Sequence, residues 1–214
     1  YGTRLQEILD QLPHEFRGFG WPSGVPKQPC AVLDLDDYLK SMTGFAYPPE
    51  RAVDWLRIPE EYLFEVTPKR LFLDRLGRVT ERFRQFYYYP DDVWFKRLSY
   101  WVSWTAEWGE KHLFRAWKRG EYLTAAIFRA QFATAVMRVG FLLNRRYSPY
   151  EKWVHREFLR LPRLSHDLDP LLRTLMDGGA PFDPVNQTVA LIVAELEHLG
   201  VVPISTEGVA FYPS

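Results

Sequence analysis

Residues 91–108 read DDVWFKRLSYWVSWTAEW and follow a tyrosine run and a proline, Tyr87-Tyr88-Tyr89-Pro90. Trp94, Leu98, Trp101, Val102, Thr105 and Trp108 recur at three- and four-residue steps, which places three indoles on one face of a helix. Pro90 fixes a φ suited to a first helical turn, and Asp91 and Asp92 lie where the helix dipole favours negative charge. Burying each large side chain stabilises by roughly 1.5–3 kcal/mol, more than local propensity contributes, so this face predicts a helix around which others pack. A ligand platform is the competing reading of the same face; packing is the simpler one.

The chain has 214 residues, ample for a real core, with 47% hydrophobic and 25% charged residues. Lys+Arg 27 against Asp+Glu 27 leaves no global field, which argues against a duplex-DNA binder that works by phosphate neutralisation. A single cysteine, Cys30, cannot staple the fold and fits a reducing, cytoplasmic setting; it is expected to be a buried, inert thiol. The first residues, Tyr-Gly-Thr-Arg, contain no apolar signal segment, and no membrane partner is expected. A start partway through a longer gene product is the expectation.

Outward from the indole stretch, the elements alternate with turn signals. TRLQEILDQL at 3–12 spaces Leu5, Ile8, Leu9 and Leu12 as a short helix, whereas residues 17–29 are dense in Gly and Pro and read as a loop. CAVLDL at 30–35 reads as a buried strand, with Asp36 or Asp37 capping a helix. Asp34 and Asp36 would point the same way on a strand and could share a divalent metal, but the cap reading is preferred. EYLFEVT at 61–67 and the stretch from Arg70 to Thr80 read as extended segments around Gly77, followed by a helix at 81–86. Beyond Trp108 the pattern loosens at Gly109. A long helix is predicted over 121–146, with Leu123, Ile127, Ala130, Thr134, Met137 and Phe141 as its buried stripe. Ser148 and Pro149 are expected to start the next helix, Asp169-Pro170 another and Asp183-Pro184 the last, with an extended tail after Gly200. The fold class is therefore mainly α: a helical bundle at 86–214 preceded by a small α/β segment at 1–85.

LPHEFRGF at 12–19, DWLRIPEEYLFEVT at 54–67, FLDRLGRVTERFRQFYYYP at 72–90, YYYPDDVW at 87–94, FLLNRRYSPYEKW at 141–153 and HLG at 198–200 occur in this order. Together they resemble a bacterial domain of unknown function in which a mainly helical domain follows a small nucleotidyltransferase-like α/β fold. The resemblance implies that LFLDRLGRVTERF closes the α/β part. It also implies a Gly-Ser turn and paired metal-binding acids upstream of Tyr1. Ala31 stands where a further carboxylate is expected, so the chain alone should not transfer nucleotides. Mg²⁺ and a nucleoside triphosphate are expected only with such an upstream catalytic part.

Candidate site residues follow from charge. Between 138 and 163 lie seven basic residues and two acidic ones, Glu151 and Glu157. Arg145, Arg146 and Lys152, with Arg156, sit beside Tyr147, Tyr150 and Trp153, a mixture that suits a phosphate or a nucleobase; helix-end capping explains the same cations. Together with Trp94 these form the candidate substrate-binding set, in a cleft against the N-terminal segment. Glu107 and Glu110 are the candidate bases toward an acceptor hydroxyl, against a solvated helix end. The five histidines lack metal-ligand spacing. The chain thus reads as the part of a nucleotidyltransferase-like protein that binds the acceptor or nucleotide. The alternative is a non-catalytic protein-interaction or ligand-binding module, for which a homodimer is compatible.

Overall fold

The computed structural model describes residues 2–13, 15–20, 30–67 and 71–201. Helices dominate it: α1 (Gly2–Asp10), α2 (Leu35–Thr43), α3 (Ala52–Arg57), α4 (Glu60–Val66), α5 (Arg78–Arg84), α6 (Asp91–Ala106), a π-helix (Glu107–Leu113), α7 (Phe114–Lys118), α8 (Tyr122–Leu143), α9 (Glu151–Phe158), α10 (Ser165–Met176) and α11 (Phe182–His198). Among the described residues the strands are β1 (Glu15–Phe16) and β2 (Phe19–Gly20), which form one antiparallel hairpin.

The indole helix forms as its spacing requires. Trp94, Leu98 and Thr105 are buried, and Trp101, Val102 and Trp108 pack partly buried against the same core. Trp94 also satisfies its ring N–H, which donates to the Leu142 carbonyl of α8 at 2.9 Å. Around Gly109 the α-helix widens into the π-helix, through which the chain runs on into α7. Gly109 is what lets that turn approach α8 and α11: a Cβ there would lie 2.5 Å from the Phe132 ring and 3.1 Å from Val185 Cγ1.

Several expectations are corrected. Residues 30–34 form no strand; Asp34, not Asp36 or Asp37, caps α2, its carboxylate accepting from the backbone N–H of Asp36 and Asp37. The stretch at 61–67 is the helix α4, and residues 74–77 turn into α5, which begins at Arg78. Cys30 is exposed. Tyr150, not Ser148, stands at the N-cap of α9, and α10 begins at Ser165 with Pro170 inside it. The predicted stripe of α8 faces outward at its N-terminal half: Leu123 is 82% exposed and Ile127 54%. The buried side is carried by Ala125, Arg129, Phe132, Val136, Val139 and Leu143, because α6 and the π-helix on one side and α10 on the other cover those positions. By length and hydropathy α8 could cross a membrane, but half of that window is buried in the protein. Residues 202–214, where the tail was read as extended, and most of the 17–29 loop lie outside the described residues.

One hydrophobic cluster joins Leu39, Trp55 and Leu63 to Phe86, Trp94, Phe132 and Phe158. It brings α4, the tyrosine run and the α8–α9 turn to one place.

Candidate functional site

α8 ends in a closed C-terminal turn. The N–H of Arg146 donates to Phe141 O at 3.0 Å and that of Arg145 to Leu142 O at 3.1 Å, the paired bonds that close a helix around a left-handed residue. That residue is Arg145, with φ 52, where glycine is the usual occupant. A side chain there costs roughly 1 kcal/mol or more relative to glycine, so something offsets it. The guanidinium lies 3.5 Å above the Trp94 ring, and its Nη1 donates to Asp91 Oδ1 at 2.7 Å. The strained turn therefore holds one cation in a fixed place over an indole.

Beside it opens a pocket of about 260 Å³ lined by Phe64 and Thr67 of α4 and its end, Tyr87, Phe141, the Arg145–Arg146–Tyr147 turn, and Glu157 and Leu161. Arg146 is exposed at this pocket and has no carboxylate partner among the described residues. Glu157 is neutralised by Arg160 at 2.9 Å and Arg156 at 3.4 Å. Tyr147 is buried, its hydroxyl donating to Phe86 O at 3.1 Å and its ring stacked on Tyr88 at 5.1 Å. Burial pushes the Tyr88, Tyr89 and Tyr147 phenols far above their ordinary range; Glu60 adds to this for Tyr88 and Tyr89, and Tyr88 with Glu60 for Tyr147. The rings behind the pocket stay neutral.

The turn is braced from beneath. Glu60, 5% exposed, accepts the Ser148 backbone N–H at 3.0 Å, and its other oxygen faces Arg138 Nη1 at 3.8 Å. Burial raises its carboxyl, an effect opposed by the Ser148 N–H, Arg138 and Arg97.

Of the residues expected from sequence, the structure gathers Arg145, Arg146 and Tyr147 at the pocket, with Trp94 under Arg145. Tyr150, Lys152 and Trp153 are exposed on the outer surface and do not line it. Glu107 and Glu110 lie in the π-helix and do not line it either. Glu107 is taken up by Lys111 at 2.6 Å, which with His112 holds its carboxyl below the usual range. Glu110 lines a separate cleft of about 140 Å³ with Phe114, Arg115 and Lys118; burial raises its carboxyl and its Oε1 has no hydrogen-bond partner.

Residues 55–154 match the family described as Domain of unknown function (DUF4037). The match covers somewhat under half of the chain and holds the pocket from Phe64 to Tyr147, but not Glu157 or Leu161. No curated protein and no solved structure matches the chain.

Phe64, Thr67 and Tyr87 line the pocket without a mark in the sequence that sets them apart. Read as a strand, Phe64 and Thr67 fall on opposite faces; at three residues' spacing on a helix they share one. Tyr87 was visible as the first member of the tyrosine run, but nothing in the run distinguishes the exposed ring from the two behind it.

Proposed function

We propose that this chain is a ligand-binding helical domain whose pocket at the Arg145–Tyr147 turn receives a phosphate-bearing molecule, a nucleotide or the phosphorylated acceptor of a nucleotidyl transfer. The observation that carries this reading is Arg146. An unpaired guanidinium at a concave site offers two parallel donors to a phosphate, and a second guanidinium is fixed beside it at a backbone position that favours glycine. Exposed Tyr87 supplies a ring face at the rim. Among the described residues no group of three His, Cys, Asp or Glu side chains comes together. In this reading the chain binds, and any transfer chemistry belongs to a catalytic part of a longer protein. Calorimetric titration with AMP, ATP and inorganic phosphate tests it: Arg146→Ala should weaken nucleotide binding about tenfold or more. Failure of the wild-type chain to bind any of the three at low salt would remove the reading.

The second reading, a non-catalytic interaction module, draws on the outward apolar stripe of α8, where Leu123 and Ile127 lie exposed one helical turn apart. Light scattering across a concentration series, repeated with Leu123→Glu, separates a self-associating chain from a monomer.

A further inference from the structure

The pocket does not stop at its own rim. Glu157, which lines it, stands on α9 one turn after Trp153, 42% exposed. The Arg156 guanidinium lies 4.3 Å from the Trp153 ring centre and the Lys152 ammonium 5.3 Å. Tyr150 beside them is 57% exposed. Between Arg146 and Lys152 these two cations outnumber Glu151, and Glu157 is already neutralised by Arg156 and Arg160, so the strip is net positive and sets flat rings beside cations. That combination meets a chain that alternates phosphates with unpaired bases: the bases stack on the rings and the phosphates meet the cations. Duplex nucleic acid offers no free base faces, and an acidic peptide offers charge without regularly placed rings.

We propose that the occupant is a single-stranded oligonucleotide of a few residues, its terminal phosphate at Arg146 and a neighbouring base stacked on Trp153. This rests on the reading of the pocket as a phosphate site and names the class of molecule it takes.

Fluorescence anisotropy with a labelled, 5′-phosphorylated uridine tetranucleotide, competed by UMP and by a duplex of the same length, tests it. The tetranucleotide should bind at least about tenfold more tightly than UMP, weaken steeply with added salt, and outcompete the duplex. Trp153→Ala, at an exposed position, should weaken the tetranucleotide by about five- to hundredfold and leave UMP within about twofold. Lys152→Glu should lower tetranucleotide affinity in the same direction. If UMP binds and depends on Arg146 but the tetranucleotide binds no tighter, or is indifferent to Trp153→Ala, the strip inference is overturned and the pocket reading stands. If the duplex binds as well as the single strand, stacking is excluded and the inference falls. If neither UMP nor the tetranucleotide binds at low salt, both readings fall together.

Discussion

The Glu60 carboxylate accepts the backbone N–H of Ser148 at 3.0 Å, across 88 residues of sequence, and so ties α4 to the turn that carries Arg145 and Arg146. Both residues are buried, and Arg138 faces the other carboxylate oxygen. Glu60→Ala would leave the buried Ser148 N–H without its acceptor and take the carboxylate away from the half-buried Arg138, while Arg97 keeps the Ile58 carbonyl. The expected loss is about 3–5 kcal/mol in urea unfolding, with any nucleotide affinity falling alongside it because the turn loses its brace.

The same carboxylate sets a pH dependence of unusual sign. Burial raises the Glu60 folded-state pKa above its ordinary 4.5, so between the two values the folded chain holds the extra proton. Its contribution is greatest below about 4.5 and declines as pH rises through that window. Glu60→Gln, with no proton to lose, should flatten the decline when unfolding is followed from pH 4 to 8.

Asp169 works in the opposite direction. Burial lifts its carboxyl, but hydrogen bonds from Arg173 and His155 outweigh that and leave it below 3.8. Its contribution is present above 3.8 and is lost as pH falls through the folded value. Both partners are largely solvent-exposed, so Asp169→Asn should cost under about 1 kcal/mol at neutral pH and nothing in strong acid. Unfolding midpoints at pH 3 and 7 check this.

The periodicity of Trp94, Leu98 and Thr105 was legible because a buried helix face repeats at a fixed step, and the basic cluster at 145–156 was legible as charge. The side of α8 that faces inward was not. That helix is apolar nearly all round, so Leu123 and Ile127 compete on equal terms with Phe132 and Val136, and only the placement of α6 and α10 decides between them. The aromatic and β-branched residues of 61–67 favour a strand, whereas packing against α2 and the tyrosine run holds 61–66 helical. Glu60 as a brace left no local trace: its partner is 88 residues away.

Gly140 is where α8 and α9 meet. A Cβ there would lie 2.7 Å from Phe158 Cε2 and 3.7 Å from Leu161 Cδ1, and the Phe158 ring is fully buried. Gly140→Ala should push α9 outward, cost about 1–3 kcal/mol, and loosen the pocket wall formed by Glu157 and Leu161. Gly109→Ala, which meets Phe132 and Val185 instead, should cost a similar amount without changing ligand affinity in the folded fraction. Paired thermal melts and nucleotide titrations separate the two.

Asp91 competes with the ligand for Arg145. Its carboxylate accepts from the guanidinium at 2.7 Å, yet its side chain is 77% exposed, so the pair is worth less than about 1 kcal/mol. A phosphate in the pocket must share or displace that contact. Asp91→Asn keeps the size at the start of α6 and removes the charge, so nucleotide affinity should rise, by up to about fivefold, while stability falls slightly from the lost dipole interaction. Arg145→Lys provides the contrast: a lysine keeps the charge but not the flat stack on Trp94 or the forked donors, and should lower both stability and affinity. A drop in affinity on Asp91→Asn would mean instead that the carboxylate aims Arg145 at the ligand, and the two outcomes differ in sign in one titration.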